Sequence, residues 1–124
     1  MRTFIGIDVR RRQHYAVAIT DTGSKSFVFT HRRVGFENFS KWVAEACPLP
    51  RIFALNVNEP FSGAVAAWLR YNGETVHVID GQMGAYDLAL CLRDGAVCRE
   101  QKQDMRELLD LAMLYLRISV AAIT

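Results

Sequence analysis

The chain has 124 residues, 51% hydrophobic and 23% charged, and 15 lysines and arginines against 13 acidic side chains leave a net charge of +2. This describes one folded domain with a packed core and excludes a disordered chain; so small a charge permits nucleic-acid binding without arguing for it, since basic residues must cluster to matter. Cys47, Cys91 and Cys98 form no Cys-x-x-Cys pair, so neither a zinc cage nor a disulfide framework is indicated and reduced thiols are expected.

Residues 3–9 are apolar and β-branched around Gly6, and they reach Asp8 too early to supply a signal-peptide core, so a cytoplasmic location is expected. Residues 14–20 read as a second strand after a turn at Arg10, Arg11, Arg12 and Gln13. Asp21, Thr22, Gly23 and Ser24 make the next turn, and residues 25–32 a third strand. The period then changes. Phe36, Phe39, Trp42, Val43 and Ala46 recur at helical spacing until Pro48 and Pro50 stop the run.

From Arg51 the order is strand (52–57), helix (61–71), a stop at Gly73, and strand (75–79), which is a βαβ unit. Residues 82–92 are expected to be helical, and a last helix runs from about Lys102 to beyond Ile118. That helix carries one stripe of Met105, Leu108, Leu109, Ala112 and Leu116 and a second of Leu111, Leu114 and Ile118. Its apolar runs are too short to span a membrane and are expected to meet a partner copy or a further domain. Three antiparallel strands followed by right-handed crossovers predict an α/β fold: a mixed five-stranded sheet of order 3-2-1-4-5 with helices on both faces, the ribonuclease H-like arrangement.

In that sheet the first and fourth strands are parallel neighbours, so Asp8 and Glu59 are expected side by side at one edge. Asp104 and Glu107, three residues apart, share a helix face. Four converging carboxylates repel one another unless protons or hard cations sit among them, and two magnesium or manganese ions there would clamp an in-line phosphoryl displacement. Each acid also has an ordinary reading on its own: a strand-end turn for Asp8, a helix N-terminal charge beside Pro60 for Glu59, the acidic start of a helix for Asp104 and Glu107. Only the combination points to chemistry.

At these residues the chain resembles a known family. Phe4-Ile5-Gly6-Ile7-Asp8-Val9, His14-Tyr15-Ala16-Val17-Ala18 and Gly35-Phe36 through Trp42 resemble the N-terminal, RuvC-like domain of the insertion-sequence transposases related to the pilin-gene-inverting recombinase Piv. Glu59-Pro60 with Ser62-Gly63 resembles that family's Glu-Pro-Thr-Gly element. Lys102-Gln103-Asp104 through Glu107 and Leu111-Ala112 resembles its acidic helix, with Glu107 where the family has a fourth Asp. The resemblance implies an Asp-Glu-Asp-Asp metal site carried here by Asp8, Glu59, Asp104 and Glu107, with Mg2+ or Mn2+ as cofactor and DNA strand cleavage or transfer as activity. It also implies DNA ends as substrate and, for part of the family, a structured guide RNA. A C-terminal domain supplying a catalytic Ser in the family is absent from this chain, so residues 1–124 are read as the RuvC-like domain alone.

Arg10, Arg11 and Arg12 follow Asp8, and Arg32 and Arg33 end the third strand; with Lys102 they are the candidate nucleic-acid contacts, and His31 is a further candidate for that patch. His14 and His77 read as strand residues, since neither has a partner at metal-binding spacing, and Trp42 and Trp68 as core. Two rivals stand beside the transposase reading. One is a non-catalytic remnant or accessory nucleic-acid-binding module, favoured by Glu107 and by Phe61 inserted after Glu59-Pro60. The other is an actin-like kinase or ATPase fragment, opposed by the arginines where a phosphate-binding glycine turn would be needed.

Overall fold

β1 (Thr3–Asp8), β2 (Gln13–Thr20) and β3 (Gly23–Thr30) run as an antiparallel meander in the computed structural model, which describes residues 2–95. After it come α1 (Arg33–Ala46), β4 (Arg51–Asn56), α2 (Phe61–Tyr71), β5 (Thr75–Ile79) and α3 (Ala85–Asp94). With β2 already on one side of β1, the crossover through α1 brings β4 to the other side. β4 pairs parallel with β1 and β5 parallel with β4, giving the sheet order β3-β2-β1-β4-β5. This α/β architecture and strand order match the expectation. No helix among the described residues is long and apolar enough to cross a membrane.

The central strands are apolar on both sides because both faces are covered. Ile5 and Ile7 of β1, Phe53 and Leu55 of β4, and Val76 and Val78 of β5 point toward α1 and α2, where they meet Phe36, Phe39, Val43, Val65 and Leu69 in the main core. Phe29 of β3 stacks on Phe39 with ring centroids 4.1 Å apart, and Phe27 stacks on Trp42 at 5.1 Å. Arg51 joins the start of β4 to the C-cap residue of α1 and to the connection between α2 and β5. Its guanidinium donates to Glu74 at 2.6 and 2.9 Å and to the Cys47 carbonyl at 3.1 Å.

The opposite face carries α3. Ala54, Ile79 and Leu88 form a second, smaller core there, with Met83 and Leu92 at its margin. Gly6 makes the close packing possible: a Cβ on it would run into the Ala85 carbonyl oxygen and lie 2.6 Å from Ala89 N and 2.8 Å from Leu88 Cβ. The helix backbone therefore rests directly on β1.

Some boundaries depart from expectation. β3 ends at Thr30 rather than at residue 32, because the Arg32 amide turns back onto the Thr30 carbonyl at 2.8 Å and starts α1 three residues early. Gly35 allows this, since a Cβ there would strike the Thr30 backbone. α3 begins at Ala85 rather than at residue 82: Gly81 adopts φ +131° and Gly84 is the extended N-cap, which leaves Gln82 and Met83 outside the helix. The expected final helix lies outside the described residues.

Candidate functional site

Parallel strands place their carboxyl ends at one edge of a sheet, the usual place for a crevice in an open α/β fold. Here the ends of β1, β4 and β5 open into a cleft of about 440 Å³ lined by Asp8, Val9, Arg10, Asn56, Val57, Asn58, Gln82, Met83 and Gly84. All nine come from strand ends or the segments just after them, so the sheet itself sets the spacing of the cleft's walls.

Asp8 ends β1, and its side chain is 16% exposed. Arg10 reaches back to it, with Nε 3.2 Å and Nη2 3.0 Å from the same carboxylate oxygen, Oδ2. The guanidinium also lies 5.5 Å from the Tyr15 ring centroid, and the Arg10 side chain is 63% exposed. Such a solvated pair holds a charge in place without adding much stability.

The β1–β4 ladder ends at Ile7 and Leu55, and two asparagines continue it with side chains. The Val9 amide donates to Asn56 Oδ1 at 2.7 Å, and Asn58 Nδ2 donates to the Val9 carbonyl at 2.9 Å. Both polar groups of the Val9 backbone are thus satisfied where strand pairing has stopped, as a buried backbone requires. This clamp fixes the direction in which the chain leaves Asp8. Its sequence signal is a pair of amides, Asn56 and Asn58, directly after a buried apolar strand; sequence reasoning passed over both.

Glu59 follows the clamp and is exposed. The Asn58 amide donates to Ser62 Oγ at 2.9 Å, and Ser62 Oγ donates to Glu59 Oε1 at 3.3 Å. The carboxylate therefore sits over the first turn of α2, where the partial positive charge of a helix N-terminus favours it. Asp8 lines the cleft, and Glu59 is not among the described residues lining it. Among the described residues no three His, Cys, Asp or Glu side chains group as metal ligands. Asp104, Glu107 and Lys102 lie outside the described residues.

The meander register carries the basic candidates to the same edge, because Gln13 at the start of β2 pairs with Thr30 at the end of β3. The His31 amide donates to the Arg12 carbonyl at 2.9 Å, which ties the Arg10–Arg12 turn to the start of α1. Arg11, Arg12 and Arg32 are exposed, and Arg33 pairs with Glu37 at 2.9 Å.

His31, the further candidate for that patch, also faces inward. It is half-buried, and its Nδ1 lies 2.8 Å from Nε2 of the fully buried His14. Burial, and then the His31 ring, push the His14 pKa from 6.5 down to about 3; burial also lowers that of His31. Both imidazoles are neutral at pH 7. Burial likewise raises the Cys47 thiol to about 11, so it packs as an inert apolar group.

No protein-family model matches the chain, and a search of the curated proteins finds no significant match.

Proposed function

We propose that the chain is a ribonuclease H-like domain of the RuvC type that cleaves or transfers DNA strands with Mg2+ or Mn2+, as part of a transposase or site-specific recombinase. The observation that carries this reading is Asp8 at the carboxyl end of the central strand of a 3-2-1-4-5 sheet, lining an open polar cleft beside the end of the parallel neighbour β4. Arg11, Arg12 and Arg32 are exposed at that same edge and offer counter-charge for a phosphodiester backbone, with Arg10 and Arg33 beside them paired to Asp8 and Glu37.

The donor chemistry fits a hard cation. Carboxylate and amide oxygens line the cleft, with no thiol or imidazole among the lining residues. Magnesium commonly takes only one or two protein carboxylates and fills its remaining positions with water and substrate phosphate, so Asp8 is the carboxylate among the cleft-lining residues that would hold it, with Glu59, Asp104 and Glu107 as further candidates. Bound there, the ion would supply activation of a water or hydroxyl nucleophile and stabilisation of the leaving oxygen. The Asn56–Asn58 clamp would hold the Asp8 backbone rigid through that chemistry, and Arg10 to Arg12 would steady phosphates beside the scissile bond. Opening the exposed Arg10–Asp8 pair costs only about 0–1 kcal/mol, which makes the carboxylate available.

A second reading, a non-catalytic nucleic-acid-binding module of the same fold, is favoured by that pair and by Glu59 turned toward Ser62. Calorimetric titration of Mn2+ and Mg2+ into the chain and into Asp8→Ala, paired with cleavage assays on branched and linear DNA, separates the two. Metal binding abolished by Asp8→Ala, together with metal-dependent nicking, supports the nuclease. A folded chain that binds DNA but takes up no metal supports the module.

A further inference from the structure

The His14–His31 pair serves neither reading above, yet it is wired to the turn that borders the cleft. Its protons are dictated by its neighbours. The Arg10 amide donates to His14 Nδ1 at 3.1 Å. That nitrogen is therefore an acceptor, and the ring's proton is on Nε2, aimed at His31 Nδ1 2.8 Å away. His31 Nδ1 must accept in turn, which leaves its own proton on Nε2. The chain of donors runs one way, from Arg10 through His14 to His31.

We propose that His14 and His31 form a proton-operated latch on the β1–β2 turn: the pair grips the Arg10 amide only while both rings are neutral, and uptake of one proton releases it. Two neutral rings hold two protons. A third goes on His14 Nδ1, where it faces the Arg10 amide, or on His31 Nδ1, which can then donate to His14 Nε2 only if the His14 proton shifts to Nδ1, where it again faces the Arg10 amide. Either way a hydrogen bond becomes a repulsion between two N–H groups. Water cannot heal the loss at His14, which is fully buried, with Phe29 at 5.1 Å and Phe36 at 6.3 Å; His31, half-buried, has Phe36 at 5.4 Å and Phe61 at 5.2 Å beside its ring. The element free to move is the turn itself, whose Arg10, Arg11 and Arg12 side chains are exposed.

At the end of the sheet where the pair sits, the charged residues are Asp8 at the end of β1, Arg10, Arg11 and Arg12 in the turn, Arg32 before α1, Arg33 and Glu37 in its first turns, and Glu59 before α2; Lys25, Lys41, Glu45 and Arg70 stand further along β3, α1 and α2. Burial opposes the extra proton on both rings, and at His14 the His31 ring opposes it as well, so the latch is closed at neutral pH and opens in acid. Release of the Arg10 amide frees the side chain that covers Asp8. The latch does not depend on whether the cleft binds metal, because all its parts belong to the turn, to β2 and to the residue that follows β3.

The test is NMR on the full isotope-labelled chain from pH 8 down through the His14 pKa of about 3. Ring 15N shifts report the tautomers, and protection factors, corrected for intrinsic exchange, are read at the Arg10 amide and at the Ala54 amide in the middle of β4. The expected result is the Nε2–H tautomer of His14 at pH 8, then a loss of Arg10 protection of about tenfold that follows the titration of the pair while Ala54 stays protected. His31→Asn keeps an acceptor for His14 Nε2 but no titratable ring, and should hold Arg10 to lower pH. An Nδ1–H tautomer of His14, Arg10 protection that tracks Ala54 throughout, or release at unchanged pH in a folded His31→Asn chain overturns the proposal; if that variant does not fold, the two wild-type readouts decide.

Discussion

Gly6→Ala adds one methyl group in the middle of β1, at a residue paired with Val17 on one side and Ala54 on the other. The new carbon would collide with the Ala85 carbonyl and lie 2.6 Å from Ala89 N and 2.8 Å from Leu88 Cβ. Non-bonded heavy atoms need about 3.5 Å, so α3 has to retreat by about 1 Å, and a gap of that size forfeits a quarter to a half of each contact's dispersion energy. Two of the three nearest atoms are backbone, so no rotamer change relieves the clash. Leu88 and Ala89, both fully buried, lose contact with the sheet as the helix moves. Overpacking of this kind costs about 1–3 kcal/mol, with the backbone clash placing it at the upper end, and the better strand preference of Ala returns about 0.5–1 kcal/mol. The net expectation is a loss of about 2 kcal/mol. At about 2.1 cal/mol/K of unfolding entropy per residue, 124 residues convert that loss into a fall in Tm of about 8 °C. Differential scanning calorimetry reads it directly. The double variant Gly6→Ala/Leu88→Ala should recover none of the loss. A Tm within about 2 °C of wild type, or a rescue by Leu88→Ala, would refute the direct seating of the α3 backbone on β1.

Asn56→Ala leaves the buried Val9 amide without its acceptor and should cost about 1–3 kcal/mol in urea denaturation; a change below about 0.5 kcal/mol would show that the clamp is dispensable. Glu74→Gln neutralises the Arg51 ion pair, whose side chains are 17% and 13% exposed, while keeping one acceptor, and should cost about 1.5–3 kcal/mol; an unchanged urea midpoint would contradict this. On the nuclease reading Arg10 competes with a cation for Asp8, so Arg10→Ala should tighten Mn2+ binding by up to about fivefold, and calorimetry that shows weaker binding would reject that competition. The His14 pKa falls from 6.5 to about 3 on folding, so below pH 6.5 the unfolded chain binds the proton that the folded chain refuses. Stability should therefore be constant in this term above pH 6.5 and decline as the pH falls toward 3. Local opening of the turn limits the loss to a few kcal/mol, short of the ~5 kcal/mol that the full shift represents at ~1.4 kcal/mol per pH unit. Urea midpoints measured from pH 8 to pH 4 check both sign and size.

The strand order was legible in the sequence because each step is local. A meander follows from short apolar runs with turn residues between them, and a crossover helix followed by a strand follows from the change of period at Phe36 and again at Phe61. Asp8 at the end of the first strand was legible for the same reason: the run before it is apolar and the residue itself is charged. The side-chain partnerships were not. Nothing in the linear pattern sets Asn56 against Val9, 47 positions away, or His14 against His31, 17 positions away. Hydrogen bonds of this kind depend on where a strand ladder stops and which ring faces which across the sheet.

By itself, then, the amino-acid sequence determined the α/β class, the sheet order and the edge at which acidic and basic residues collect, because hydrophobic period and chain connectivity are enough to decide those. Tertiary structure alone decided that Asn56 and Asn58 brace the Asp8 strand end, that Arg10 folds back onto Asp8, that Glu59 leans on Ser62, and that His31 turns inward to His14. These are matters of side-chain direction at the ends of strands, where the backbone has lost its regular partner and satisfies its polar groups with whichever side chain the packing brings within reach.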